Sequence, residues 1–383
     1  MSPQLTRQKS AISKWVRSDD FRFPLGLFVF LRAAYMTFSY MGLWLHNPLF
    51  EHDAGRQKFL QPYRAIDGLC RWDCVWFDIV AREGYAKLEN AKVFPLFPLL
   101  ARLLHDYAGM NQLVALILMS NIASLISYWV IYSTFIELSN RESARWGLLV
   151  FTAYPFHYYQ AAGYPESTMV LMSALAIRLM MHRRPLWSGH ALGIGIMARH
   201  LTVFGGAGML AAHVRQSWPS PKKFFLSWGF VGLCLPFAYV GAFSYYLKIV
   251  NGDPLAFYHS RSINWGPAVW YSVREVWKYE TLAGHPEYFF YQPFLLIPIF
   301  GTIGLFFRKK WLEMAIASAV LMAVVVGSGG VGIGRYSAAC WPAYLAIGVW
   351  MSRRKALQGP IYGVLMLLQG LFFYLFSHQY RIL

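Results

Sequence analysis

The chain has 383 residues, of which 57% are hydrophobic, 18% aromatic and only 14% charged, and its formal net charge is +17. With a mean hydropathy of +0.36, this composition excludes both an ordinary soluble domain and a disordered chain. Apolar runs of about 17 to 25 residues recur along the sequence, the length that a helix needs to cross a bilayer. The sequence therefore predicts an all-α polytopic membrane protein.

The basic residues lie at the ends of the apolar runs rather than on one face or in one tail. This distribution follows the positive-inside rule and gives no indication of nucleic-acid binding. Residues 1–20 are polar and basic, so we place them in the cytoplasm. The first crossing, about residues 23–45, then leads outward.

A long polar segment, residues 46–111, follows as the first extracytoplasmic loop. It contains Asp73 and Asp78 among aromatic residues, and prolines interrupt it at residues 94–98. A proline restricts the residue before it and marks a break. We expect the short apolar stretch after this break to form helices that lie at the membrane interface.

The remaining chain alternates between apolar runs and basic loops. One helix over residues 185–215 would leave Arg199 and His200 in the middle of the bilayer, where a charge is costly. We therefore predict two short helices that meet at Arg199 on the outer side. With the first crossing, these give about eleven crossings in a single domain, residues 1–383, with a second outer loop at 250–287. The other predicted crossings are residues 112–137, 147–161, 167–181, 224–249, 288–307, 311–328, 337–351 and 357–377.

The cysteines show neither metal-site spacing nor a disulfide framework. They are Cys70, Cys74, Cys234 and Cys340. Cys70 and Cys74 could approach each other across one helical turn, but bridge geometry is demanding. We therefore expect them to be unpaired, with a bridge as the alternative.

On this topology several ionisable residues gather on the outer side, at helix ends or breaks: Asp73, Asp78, Glu166, Arg199, His200 and Arg335. Charged groups at membrane depth are costly and usually mark a polar site. Carboxylates beside arginines in a dry cavity suit a reaction in which a hydroxyl loses a proton and a phosphate leaves.

The acids of the first loop also have structural alternatives. Asp73 could cap a helix or pair with Arg71, while the flanking Trp72 and Trp76 could anchor the loop at the interface. Asp78 lies five residues further on, and this spacing does not place it on the same helix face as Asp73. A structural role is therefore equally open for Asp78.

The later residues have alternatives as well. Glu166 stands where a helix begins, and the helix dipole favours an acid in the first turn. Arg199 and Arg335 could be snorkelling side chains. His200 could simply be packed or line a pore.

Five motifs stand in order along the chain: Arg71-Trp72-Asp73 with Phe77, Ala81 and Gly84-Tyr85; Phe94-Pro95-Leu96-Phe97-Pro98; Tyr164-Pro165-Glu166-Ser167; Asn264-Trp265-Gly266; and Arg335-Tyr336 with Pro342. In order and approximate spacing they resemble the PIG-V family, the GPI mannosyltransferase II group, and its bacterial relatives. The resemblance covers nearly the whole chain, and its first block is the most specific.

The resemblance implies a GT-C type glycosyltransferase that takes a sugar, mannose, from a polyprenyl phosphate and transfers it with inversion on the outer or luminal side. Asp73 matches the acid that acts at the acceptor hydroxyl. The site would be completed by two further groups. Asp78, Glu166, Trp72 and Trp265 would bind the acceptor or shape the site, and Arg199, Arg335 and His200 would bind the donor phosphate.

The expected partners are the polyprenyl-phosphate sugar, a glycolipid or glycan acceptor and membrane lipids. No cofactor or metal is required by the sequence, although a divalent cation is possible. The membrane would be the inner or plasma membrane in a bacterium and the endoplasmic reticulum in a eukaryote. The alternative function is a transporter or lipid flippase, which would also bury ionisable residues between helices.

Overall fold

The computed structural model describes residues 18–45, 64–265, 292–328 and 332–378. Throughout these ranges the regular structure is helical, and they contain no β-strand. The all-α prediction is therefore confirmed. The outer loops predicted at 46–111 and 250–287 both extend into residues outside these ranges.

Fourteen helices of ten or more residues lie in the described ranges. Numbered in chain order, they are α1 (Asp19–Leu45), α2 (Cys74–Glu83), α3 (Leu96–Ala108), α4 (Gln112–Leu138), α5 (Arg141–Ala153), α6 (Glu166–Met181), α7 (Pro185–Ala198), α8 (Val203–Ser217), α9 (Trp228–Asn251), α10 (Ala256–Trp265), α11 (Leu296–Phe306), α12 (Leu312–Ser328), α13 (Ala343–Arg353) and α14 (Lys355–Ser377).

Five stretches are long and apolar enough to cross a membrane: Asp19–Met41, Gln112–Leu138, Trp228–Asn251, Lys309–Gly327 and Lys355–Ser377. A helix satisfies its own backbone hydrogen bonds, so apolar segments of this length can enter hydrocarbon. Each of the predicted crossings overlaps one of the numbered helices. The total of eleven crossings stays a prediction.

The break at Arg199 is confirmed. Helix α7 ends at Ala198, Arg199 is extended with φ −157° and ψ 124°, and a 3₁₀ turn covers His200–Thr202 before α8 begins. The Thr202 hydroxyl donates to the carbonyl oxygen of Gly195 at 2.8 Å. The Gly195 carbonyl also accepts the last helical bond, from the Arg199 amide at 2.9 Å, so the Thr202 hydroxyl is a second donor at the end of α7.

Two predicted boundaries are wrong. The crossing at 147–161 ends as an α-helix at Ala153, because Pro155 disfavours helical geometry at Tyr154, which adopts φ −55° and ψ 133°. The crossing predicted at 337–351 begins later: a short helix, Ile333–Ser337, carries Arg335, and the long helix begins only at Ala343, after Pro342.

Helix α6 lies at the centre of the bundle. It is mostly buried and packs against α4, α7 and α8. Its first residue, Glu166, therefore begins deep inside the protein. Helices α5 and α13 pack closely at Gly147 and Gly348. A Cβ at Gly348 would meet the backbone of α5, so glycine is what allows this close approach.

The expectation that Cys70 and Cys74 are unpaired is wrong. They form a disulfide with an S–S distance of 2.00 Å and a Cα–Cα distance of 5.4 Å. The expectation assumed a regular helical turn, where residues four apart have Cβ atoms about 5–6 Å apart. Helix α2 begins only at Cys74, and Trp72 has a φ of 53°, so the chain before α2 turns differently and brings the cysteines together.

Candidate active site

Asp73 immediately precedes α2 and faces a cleft rather than its own helix. Its side chain makes no capping hydrogen bond. Instead, its Oδ2 accepts a hydrogen bond from Nη1 of Arg335 at 2.6 Å. The capping alternative is therefore wrong, and so is the pairing with Arg71, because Arg71 forms an ion pair with Asp67 at 2.6 Å.

Arg335 connects the two acids of the site. It projects from the short helix Ile333–Ser337 and is only 4% exposed. Its Nε donates to Oε1 of Glu166, while its Nη1 holds Asp73. The guanidinium carbon also lies 4.7 Å from the ring centre of Tyr164, a distance typical of cation–π contact. Arg335 is thus an interior cation and does not snorkel.

Glu166 is the first residue of α6 and is fully buried. It is a first-turn acid, as the structural alternative proposed, and the helix dipole stabilises its charge there. Its Oε1 also lies 2.5 Å from Nη1 of Arg199. Arg335 reaches the same oxygen. Glu166 is therefore a first-turn acid that also contacts two buried arginines.

Arg199, at the break between α7 and α8, is the last member of this series of charged side chains. It is 7% exposed, and its guanidinium carbon lies 4.8 Å from the ring centre of Tyr336. Within the described part of the chain, its Nε has no hydrogen-bond partner, so one N–H donor of this buried cation remains for a ligand. Asp73, Arg335, Glu166 and Arg199 form one continuous ionic chain.

A small, partly open cleft borders this ionic chain. His200 lines it, with its ring centre 5.6 Å from that of Phe94. The full lining combines charged and aromatic side chains with short backbone segments: Asp73, Trp76, Phe77, Lys92, Val93, Phe94, Pro165, Ala198, Arg199, His200 and Arg335. A few convergent polar groups in a mostly apolar cleft are typical of a ligand site.

Lys92 is a cleft residue that the sequence reasoning missed. It ends the 3₁₀ turn Leu88–Lys92, is 7% exposed, and its ammonium lies 3.8 Å from the ring centre of Trp76. Burial lowers the pKa of Lys92, while the negative charges of Asp73 and Glu89 act in the opposite direction. No sequence signal singled it out, because Lys58 and Lys87 stand in the same predicted outer loop.

The charges of the cleft do not cancel. Arg199, Arg335 and Lys92 are cations, whereas Asp73 and Glu166 are the only carboxylates in the ionic chain or the cleft lining of the described residues. Within this set the cations outnumber the carboxylates by one, and Glu89 also acts on Lys92 from outside it. In a cleft of low dielectric such an excess favours an anionic ligand, and arginine side chains suit phosphate in particular.

Asp78 lies outside the cleft lining. It forms an ion pair with Arg82 at 2.9 Å, and Arg82 in turn donates to Gln112 at the start of α4. Burial raises the pKa of Asp78, and Arg82 opposes that shift. The contacts of Asp78 thus tie α2 to α4.

Trp72 and Trp265 are the two tryptophans that the sequence predicted at the site. Trp72 is half-buried against the core in the turn before Asp73 and is not among the residues that line the cleft. Trp265 is the last residue of α10, and its side chain lies outside the described residues.

No group of three or more His, Cys, Asp or Glu side chains suited to a metal ion occurs within the ranges that the structure describes. Asp73 and the buried Glu166 share the guanidinium of Arg335 as a counter-ion. Of the two, Asp73 lines the cleft and is the carboxylate that a divalent cation there would contact.

No protein-family model and no curated protein matches this sequence. Two solved structures of ArnT from Cupriavidus metallidurans do match its fold. The one bound to undecaprenyl phosphate has a TM-score of 0.54 at 13% identity, over 89% of this chain and 63% of the ArnT chain. The apo structure has a TM-score of 0.54 at 14% identity, over 91% and 62%.

The chain therefore spans a little under two thirds of the length of ArnT. At this level of identity the likeness shows the fold. The predicted GT-C-like fold of a polytopic membrane protein is thus confirmed.

Proposed function

We propose that this protein is an inverting glycosyltransferase that moves a sugar from a polyprenyl phosphate to a hydroxyl of a glycolipid or glycan on the extracytoplasmic side. The ionic chain from Asp73 through Arg335 and Glu166 to Arg199 carries the proposal. It places a carboxylate and a set of phosphate-binding cations at one cleft, and this reaction uses both.

Asp73 is proposed as the base. Its side chain is 31% exposed, whereas that of Glu166 is fully buried, so Asp73 is the carboxylate that an acceptor can reach. The hydrogen bond from Nη1 of Arg335 fixes its orientation. In the proposed step Asp73 takes the proton of the acceptor hydroxyl. That oxygen then bonds to the anomeric carbon from the face opposite the phosphate, and the bond between that carbon and the phosphate oxygen breaks.

The departing phosphate is proposed to bind Arg199, Lys92 and Arg335, with His200 beside them. All four line the cleft. The excess positive charge matches a lipid phosphate, whose negative charge grows as the sugar leaves. Preorganised cations at the point where charge develops give the largest electrostatic gain, because they need no reorganisation during the reaction. Glu166 keeps two of these cations aligned.

A lipid-linked donor agrees with two features of the molecule. Five stretches are long and apolar enough to cross a membrane, so a polyprenyl tail could remain in the bilayer while its phosphate reaches Arg199. ArnT, which shares the fold, has been crystallised with undecaprenyl phosphate. For this chain the lipid phosphate is part of the proposal.

Mannose and the PIG-V assignment rest on the motifs around Asp73 and Glu166. The outer location is supported by the positive-inside pattern and by the disulfide between Cys70 and Cys74, since disulfides persist in oxidising compartments. The membrane would be the plasma or inner membrane of a bacterium or the endoplasmic reticulum of a eukaryote. A divalent cation at the carboxylates stays an open part of the proposal.

A transfer assay tests this function. The full-length protein in lipid nanodiscs would receive radiolabelled polyprenyl phosphate mannose and a panel of glycolipid acceptors. We expect a labelled product with the wild type and loss of at least about 10³-fold in turnover with Asp73→Asn, which removes the base at constant size. Glu83→Gln is the matched control, because Glu83 lies in the same helix and pairs with Lys87 at the surface.

Near-normal turnover in the Asp73→Asn variant would contradict the assignment of Asp73 as the base. A transporter or flippase would instead move labelled lipid or solute across a liposome membrane without forming a glycosidic bond. Transport without product in the wild type would therefore replace the proposed function by that alternative.

A further inference from the structure

The turn that carries Asp73 is closed by a covalent ring. The disulfide between Cys70 and Cys74 encloses three residues: Arg71, Trp72 and Asp73. Both cysteines are buried. Asp73 is directly bonded to one of them in the chain, so the bridge restricts the backbone from which the proposed base projects.

This ring maintains an unfavourable backbone conformation. Trp72 has a φ of 53°, a region that bulky residues rarely adopt. Such a conformation persists only where its surroundings over-determine it. Here the Tyr164 hydroxyl donates to the Arg71 carbonyl at 2.7 Å, and the Arg71 side chain donates to the Ser377 carbonyl at 2.8 Å. The bridge adds the covalent constraint to these hydrogen bonds.

The bridge also contacts the segment that leads to the second acid. A Cβ at Gly163 would lie 2.7 Å from the sulfur of Cys74, and the Gly163 amide donates to the Leu69 carbonyl at 2.8 Å. Gly163 is three residues before Glu166. The disulfide is therefore packed between the turn of Asp73 and the turn of Glu166, the two carboxylates that Arg335 joins.

The position of the Asp73 carboxylate depends on the backbone of this turn. A capping side chain would also be held by a hydrogen bond to its own helix. The Asp73 carboxylate makes no bond to its own helix and is held from across the cleft by Arg335. A rotation of the turn at Trp72 would thus move the carboxylate away from the guanidinium, because no hydrogen bond to its own helix holds that side chain.

We propose that the Cys70–Cys74 disulfide is a positioning element for Asp73 and that sugar transfer requires the bridge to be closed. The inference rests on the proposed function. Both cysteines act through Asp73 and touch no reacting atom. Opening the bridge with a water-soluble phosphine and one water molecule gives two thiols and the phosphine oxide, and Trp72 is then free to leave the positive-φ region.

The double variant Cys70→Ala/Cys74→Ala tests the proposal in the full-length protein in nanodiscs. We expect kcat to fall about tenfold or more, because small displacements of a catalytic group cost this much, while KM for polyprenyl phosphate mannose changes less than about twofold. Amide hydrogen exchange should rise in residues 67–84 and stay unchanged in α4. The matched control is Cys234→Ala, since Cys234 is an exposed free thiol in α9.

A second pair of variants separates positioning from general stability. In an Asp73→Asn background, adding the two alanines should cause no further loss of the residual rate, because the bridge acts through a base that is already absent. An equal further loss would overturn the proposal, and so would wild-type kcat in the double alanine variant.

The wild type treated with the phosphine gives the same test without any substitution, should the double variant not fold. Full turnover with the bridge shown open by mass spectrometry would overturn the proposal. If the oxidised wild type forms no product with any donor, the proposed function fails by itself. Hydrogen exchange then tests the positioning role of the bridge separately. Unchanged protection of residues 67–84 after the bridge is opened would contradict that role.

Discussion

Arg335 holds Asp73 and Glu166 at the same time, although these acids lie 262 and 169 positions earlier in the chain. One guanidinium thereby aligns the proposed base and the buried acid that orients Arg199. Two carboxylates that approach one another without a cation between them would repel, and one would take up a proton. Arg335 is therefore the residue on which the geometry of the cleft depends most.

Arg335→Met should abolish transfer and lower stability together. It leaves Glu166 buried beside one remaining cation and removes the partner of Asp73, and breaking a buried pair costs about 3–5 kcal/mol of unfolding free energy. Thermal melting and turnover in nanodiscs would measure the two effects. In Arg335→Met/Glu166→Gln we expect part of the stability to return without activity. Full activity in the single variant would contradict this role of Arg335.

Arg199→Ala should act mainly on the donor. The lost charge-assisted hydrogen bonds are worth about 1.5–3 kcal/mol, which predicts a rise in donor KM of about 10- to 100-fold. Initial rates at varied donor concentration would show it. Arg102→Ala is the control, since Arg102 pairs with Asp106 at the surface. Unchanged donor KM and kcat in Arg199→Ala would withdraw its phosphate role.

Lys92 should make donor binding sensitive to alkaline pH. Its pKa is lowered from 10.5 by burial, so the ammonium loses its proton at a lower pH than an ordinary lysine does. Donor affinity of the wild type should fall as pH rises through this lowered pKa. Lys92→Arg should remain charged and move the loss to higher pH.

The stability contribution of Lys92 has the opposite sign. Because its pKa in the folded state lies below the unfolded value, the charged form opposes folding at low pH, and stability should rise as pH rises through the lowered pKa. Lys87→Met is the control, since Lys87 pairs with Glu83 at the surface. A donor pH profile that is identical in Lys92→Met and wild type would contradict the role of Lys92.

Asp78→Asn should leave turnover within about twofold of wild type, because Asp78 lies outside the cleft lining and its partner Arg82 is largely exposed. A pair of this kind contributes about 0–1 kcal/mol. Since burial raises the pKa of Asp78 above 3.8, its ionisation opposes folding as pH rises through that pKa, and the amide removes this dependence. A tenfold loss of turnover at unchanged stability would return Asp78 to the site.

The sequence by itself determined the fold class and most helices. Long apolar runs must become helices in a bilayer because every backbone polar group has to be satisfied inside the segment. The same cost predicted the break at Arg199, since a charge in mid-bilayer is unfavourable. The proline before Glu166 and the aromatic setting of Asp73 also marked both acids from local pattern alone.

Only the tertiary structure decided the partners. Local spacing offered Arg71 to Asp73, yet Arg71 pairs with Asp67 and Arg335 arrives from the far end of the chain. The sequence predicted Asp73 as the base and left a structural role open for Asp78, and packing places Asp78 outside the cleft lining. Ion pairs between distant segments depend on how the helices pack, and the periodicity of the sequence carries no information about that packing. The sequence offered the disulfide only as an alternative, and the turn with a positive φ at Trp72 brings the two cysteines together. Lys92 became a candidate only through its burial at the cleft.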